Sequence, residues 1–278
     1  MPTIDLPAGT LSYRVAGPED STAPPVVFIH PILTDGQLWE PVAQLLAAQG
    51  IRSYAPDWPL GSHTIALNSD ADRSPRGIAQ MVRDFLAARD LTGVTLVGND
   101  TGGALTQYVL DSGEPRVSRA VLMNCDAFDT FPPFPFNVIL AQLRYPASTK
   151  GSMELLRSRA LRHSWMGFGL LSKNLPADIT ASWIEPTRTD AGIRYDLAQL
   201  LKALKPEELL EVTNRMNAVT VPVTILWGMD DRVFRPKLGR RLAGAFTAAE
   251  WVEVPSARTL LAFDAPQVVA DAIAAPQG

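Results

Sequence analysis

The chain has 278 residues, 46% hydrophobic and 19% charged, enough to bury the core of one large domain. Its formal net charge of −4 gives no electrostatic reason to expect nucleic acid or anionic lipid as a partner. One cysteine, Cys125, excludes an intramolecular disulfide and fits a reducing, cytoplasmic setting; no leader-like segment or bilayer-length apolar run is present.

In chain order, strand-like runs fall at Leu11–Val15, Val26–His30, Ile51–Ala55, Val94–Gly98, Ala120–Asn124, Val223–Trp227 and Trp251–Val254. Several are continuously apolar, as strands covered on both faces require. Helical faces lie between them: Val42, Leu45, Leu46; then Ile78, Met81, Val82, Phe85, Leu86; and finally Val268, Val269, Ala272, Ile273. The alternation predicts a mostly parallel, doubly wound sheet. It stops between residues 126 and 218, where only helical stretches broken by Pro, Gly and Asn occur. The expected organisation is a core of residues 1–125 and 219–278 with a helical cap, 126–218, inserted after the sixth strand. Phe131-Pro132-Pro133-Phe134-Pro135-Phe136 reads as a rigid hinge into the cap.

Gly98-Asn99-Asp100-Thr101-Gly102-Gly103 follows a strand and opens a helix. The spacing Gly98-x-Asp100-x-Gly102 is that of a nucleophile elbow with Asp where esterases carry Ser. It places Asp100 at the carboxyl edge of the sheet, as a nucleophile or a base. An Asx turn is the competing, purely structural reading.

Further motifs accompany the elbow: His30-Pro31-Ile32 with Trp39, Asp57-Trp58-Pro59-Leu60-Gly61-Ser62, and Trp227-Gly228-Met229-Asp230-Asp231. Together they resemble the α/β-hydrolase superfamily in its Asp-nucleophile branch, with haloalkane dehalogenases and epoxide hydrolases. The resemblance implies Asp100 as nucleophile, Asp231 as triad acid, backbone N–H donors from Ile32 and Thr101, and no cofactor or metal. Three residues depart from the pattern. Thr101 replaces the tryptophan that follows the nucleophile, and Pro31 replaces a glycine. Arg258-Thr259, upstream of Asp264-Ala265-Pro266, stands where Gly-His belongs, and no histidine follows His163.

Without its histidine the branch cannot activate water to release an alkyl-enzyme ester. His63, on the loop after the fourth strand, is either a relocated base or a loop-bound residue. His30 either orders its own loop or belongs to the oxyanion and substrate-binding site, and His163 is a solvated cap residue. Asp231 either clamps Arg258 or leaves it facing solvent. Asn124 is either a site residue or a capped strand end. Asp126, Asp129 and Asp230 are expected to face water, and Cys125 to be a small buried residue. Trp165-Met166-Gly167-Phe168 and Leu170-Leu171 would line an apolar pocket or merely pack. Tyr145 and Tyr195 are candidates for holding a substrate oxygen.

The leading expectation is a cofactor-free hydrolase acting through Asp100 on a small or medium apolar substrate. A lyase, isomerase or cyclase using Asp100 as general acid/base is the alternative, followed by a ligand-binding protein without catalysis.

Overall fold

The computed structural model describes residues 1–275, so the last three residues of the expected core range lie outside it. Eight strands form one sheet: β1 (Thr3–Leu6), β2 (Gly9–Ala16), β3 (Val26–Ile29), β4 (Ser53–Pro56), β5 (Val94–Asp100), β6 (Val117–Cys125), β7 (Val223–Gly228) and β8 (Ala249–Val254), in the spatial order β1-β2-β4-β3-β5-β6-β7-β8. Pairings β1–β2 and β2–β4 are antiparallel and all the others parallel. The fold is that of the α/β hydrolases. Strand β1 escapes a search for apolar runs because it is a four-residue edge strand with only Leu6 fully covered. β3 and β4 are buried at every position, matching their continuous apolar or small character.

The helices are α1 (Glu40–Ala48), α2 (Pro75–Ala88), α3 (Thr101–Asp111), α4 (Phe136–Gln142), α5 (Pro146–Leu156), α6 (Arg159–Arg162), α7 (Ala177–Thr189), α8 (Ala191–Ala203), α9 (Pro206–Asn214), α10 (Pro236–Ala243), α11 (Leu261–Asp264) and α12 (Pro266–Ala274). Helix α2 starts where Ser74 accepts the Gly77 N–H at 3.1 Å, and it buries Ile78, Met81, Val82, Phe85 and Leu86 along one stripe. Helix α12 buries Val269, Ala270 and Ile273 while Val268 faces out, so its apolar stripe is narrower than the sequence suggests. Residues 126–218 contribute α4 to α9 and no strand beyond an isolated bridge between Ala127 and Thr130. Trp183 of α7 ties this segment down: its indole N–H donates to Asp35 at 3.1 Å and its ring stacks on Phe263. No helix among the described residues is long and apolar enough to cross a membrane.

Packing at the turn from β5 into α3 fixes the position of Asp100. A Cβ on Gly102 would lie 2.1 Å from the Ile29 carbonyl oxygen, and one on Gly103 would lie 2.3 Å from Cys125 Cβ. Helix α3 therefore seats on β3 and β6 only because these residues have no side chain. Gly102→Ala should push α3 off β3 and lower stability by about 1–3 kcal/mol or more. Urea denaturation checks this, and an unchanged midpoint would contradict it.

Candidate active site

Asp100 ends β5 and caps α3 with φ 55° and ψ −125°, a left-handed conformation that a non-glycine residue adopts only when its surroundings impose it. Its Oδ1 accepts the Thr101 backbone N–H at 2.6 Å and the Thr101 hydroxyl at 3.1 Å. Oδ2 has no hydrogen-bond partner among the described residues, and Asp100 lines a cavity of about 220 Å³. Burial pushes the Asp100 pKa up to about 6, against the two Thr101 donors and with help from the nearby Asp231 charge.

Asp231, on the loop after β7, is bound differently. Oδ1 accepts N–H groups of Val233 at 2.7 Å and Phe234 at 3.0 Å. Oδ2 accepts the Asn124 amide at 2.7 Å and the Thr259 hydroxyl at 2.8 Å. Four donors fill the four acceptor sites of a carboxylate. Burial still pushes its pKa up to about 6 against those donors. Thr259 is fully buried, and its hydroxyl donates to Asp231. Asn124 both closes β6 and serves this cluster, since its Oδ1 accepts the Gly228 N–H at 2.6 Å.

The clamp between Asp231 and Arg258 does not form. The Arg258 guanidinium instead donates to the Gly169 carbonyl at 3.0 Å, tying its loop to the helical segment. Asp230 is exposed and pairs with Lys173 at 2.5 Å.

None of the three histidines lines the cavity. His63 is buried with Nε2 3.2 Å from Asp196 Oδ2 of α8, while Nδ1 accepts the Gly61 N–H at 3.4 Å. The expectation of a relocated base at His63 is therefore corrected: its ring is engaged with a residue of α8. Asp196 also accepts the Leu67 N–H at 2.9 Å and Arg73 Nε at 2.6 Å. Burial works against its charge, but the donors from His63, Leu67 and Arg73 outweigh it and leave its pKa below the ordinary value. His30 orders its loop, with Nδ1 donating to the Pro31 carbonyl at 2.9 Å. Burial drives its pKa down to about 3, which keeps the ring neutral. His163 is half-buried on the Thr180 hydroxyl at 2.8 Å rather than solvated.

Of the expected oxyanion donors, the Thr101 N–H is turned onto Asp100 itself. The Ile32 N–H has no backbone acceptor among the described residues, and Ile32 lines the cavity. The remaining wall is apolar apart from Gln142 and Ser152, and includes Phe136, Leu140, Met153, Phe168 and Phe234. Met166, Gly167, Phe168 and Leu171 line it as the sequence suggests, whereas Trp165 and Leu170 do not. Tyr145 and Tyr195 are exposed and absent from the wall; Tyr195 lies beneath the Arg73 guanidinium instead.

Sequence reasoning missed Asp126. It does not face water: it is fully buried, and neither carboxyl oxygen has a hydrogen-bond partner among the described residues. Burial, then the Asp100 charge, pushes its pKa well above the ordinary value. The available signal was its place immediately after the apolar run of β6. Asp129 is exposed as expected, and Cys125 is a buried thiol whose pKa is raised by burial. Among the described residues, no group of three His, Cys, Asp or Glu side chains is arranged to hold a metal.

The family model described as alpha/beta hydrolase fold matches residues 24–266, and the chain belongs to that family. Haloalkane dehalogenase 2 of Mycobacterium bovis is 25% identical to it over 268 residues, covering 94% of this chain and 90% of that protein. Haloalkane dehalogenase 2 of Mycobacterium tuberculosis matches at the same identity and coverage. An alpha/beta hydrolase fold protein from Burkholderia ambifaria superimposes with a TM-score of 0.81 at 21% identity, over 98% of this chain and 96% of its own. A putative ancestral haloalkane dehalogenase gives 0.78 at 18% identity over 99% and 97%. The enol-lactonase of Burkholderia xenovorans gives 0.74 at 18% over 98% of both chains. These solved structures share the fold with this chain.

The raised Asp100 pKa has a stability consequence of definite sign. The folded state binds the Asp100 proton more tightly than the unfolded chain, so this stabilisation is complete below about 4 and lost as pH rises through about 6. Asp100→Asn carries no charge at any pH. It should match wild type near pH 4 and exceed it at pH 7.5 by on the order of 2 kcal/mol. Denaturant titrations at the two pH values check this, and a difference that does not change with pH would contradict it.

Proposed function

We propose that this protein is a cofactor-free enzyme of the α/β-hydrolase family that admits a small or medium apolar substrate to the cavity over Asp100 and moves a proton on it. Asp100 is the general base and, once protonated, the general acid of a lyase, isomerase or cyclase reaction. The observation that carries this reading is the contrast between the two carboxylates. Asp231 has every acceptor site filled, whereas Asp100 keeps Oδ2 open toward the cavity. No histidine lines the cavity wall among the described residues, so Asp100 has no imidazole beside it to deliver water to an ester.

In such a reaction Asp100 Oδ2 takes a proton from an activated C–H of the substrate. The Ile32 N–H, which has no backbone acceptor among the described residues, then donates to charge developing on a substrate oxygen. The proton then returns to another atom, or a leaving group departs. A pKa of about 6 suits this role, since the group is mostly ionised at neutrality yet still basic enough to accept a proton. The apolar wall strengthens the interaction by excluding water.

A second reading, hydrolysis through an Asp100 ester, is favoured by the similarity to haloalkane dehalogenase 2. In it, Oδ2 displaces the leaving group from carbon, and the alkyl-enzyme ester then persists because no base delivers water. The two readings separate on one experiment. Wild type and Asp100→Asn are incubated in D2O with enolisable ketones and lactones, and in parallel with alkyl halides and epoxides. Both compound and intact protein masses are followed. The proposal predicts Asp100-dependent deuterium uptake into an enolisable compound, roughly a hundredfold or more slower in Asp100→Asn. The wild-type rate should rise with pH to a plateau above about 6, with no change in protein mass. A lasting mass increase on Asp100, or repeated turnover of halides to alcohols, would overturn it.

A further inference from the structure

The whole-chain charge of −4 conceals a local reversal. Residues 131–168 carry five cations, Arg144, Lys150, Arg157, Arg159 and Arg162, against the single carboxylate of Glu154. Arg162 is buried, and the other four cations are exposed. Glu154 is shared with Arg157 and Arg188, while Arg144, Lys150 and Arg159 make no ion pair among the described residues.

The same stretch also holds most of the exposed apolar surface. Of the eleven large apolar or aromatic side chains exposed among the described residues, seven lie between Phe134 and Met166. Phe134 is 74% exposed, Tyr145 66%, Leu155 63% and Trp165 60%. Leu155, Leu161 and Met166 are both exposed and part of the wall of the Asp100 cavity, so they stand at its mouth. Pro133 and Phe136, on either side of Phe134 in sequence, line the same cavity. Scattered exposed apolar residues are ordinary; three on the wall of an apolar cavity, in a stretch that also carries four more and unpaired cations, are not.

We infer that this surface, built from α4 to α6 and their connecting turns, docks on an anionic lipid membrane, with the mouth of the Asp100 cavity facing the acyl chains. Charge complementarity selects this occupant: the stretch is net positive in a protein that is otherwise strongly acidic. Phe134, Tyr145 and Trp165 enter the headgroup region, where aromatic rings are favoured, and Lys150 and Arg159 meet lipid phosphates. An apolar compound dissolved in the bilayer then reaches the cavity without crossing water. The docking does not depend on which reaction Asp100 performs.

The test is flotation of the purified full-length protein with phosphatidylcholine vesicles, with and without phosphatidylglycerol, at low and high salt. Sedimentation in the absence of lipid reports self-association. Binding should be roughly tenfold or more stronger to the anionic vesicles and weaken with salt. Both Phe134→Ser/Trp165→Ser and Lys150→Gln/Arg159→Gln should lower it several-fold, with melting temperatures unchanged because all four side chains are exposed. Equal or absent binding to the two vesicle types, or binding that neither variant alters, would overturn the inference. So would a dimer that forms without lipid through Phe134 and Trp165, which would assign the surface to a second copy of the chain.

Discussion

The backbone reversal at Asp100 is the constraint on which the rest of the molecule depends. Strand β5 runs between β3 and β6 and turns into α3 in a space that admits no side chain at Gly98, Gly102 or Gly103. That tightness holds a non-glycine residue at φ 55° and delivers a carboxylate to the edge of the sheet. The cost of the strained residue is offset by burial of the α3 face, where residues Thr101 to Leu110 are all covered. Helices from the 126–218 segment then close over the carboxylate, and the cavity takes walls from both.

Once the carboxylate is fixed there, its surroundings set its chemistry. An apolar wall makes charge expensive, and among the described residues only the two Thr101 donors bond the ionised form. Asp231, with four donors, is a structural carboxylate holding Asn124, Thr259 and the loop after β7 together. The Thr259 hydroxyl donates to Asp231 Oδ2 and has no proton affinity near neutrality, so it is no base. Asp126 adds a second buried carboxyl, whose pKa burial and the Asp100 charge push well above the ordinary value.

Much of this was legible in the residues. Continuous apolar runs mark β3, β5, β6 and β7, because strands covered on both faces leave no polar alternation to misread. The glycine spacing around Asp100 marks the elbow, because steric exclusion there acts on neighbours in sequence. What escaped depends on partners far along the chain. His63 meets Asp196 133 residues later, and Arg258 meets Gly169 89 residues earlier. No local pattern encodes either pairing. Asp126 was misjudged because a charged side chain after a strand usually faces water, whereas here the chain continues beneath the helical segment, with Gln107 of α3 donating to the Asp126 carbonyl at 2.8 Å. Whole-chain charge likewise averaged away the basic, apolar stretch from 131 to 168.

The central claim is that Asp100 is a carboxyl poised for proton transfer, and carboxyl-carbon NMR of aspartate-labelled protein tests it without any substrate. The signal absent from Asp100→Asn identifies the group. The account predicts a titration midpoint near 6. A midpoint at or below the ordinary 3.8 would contradict it, because a fully stabilised carboxylate would be too weak a base for the assigned role.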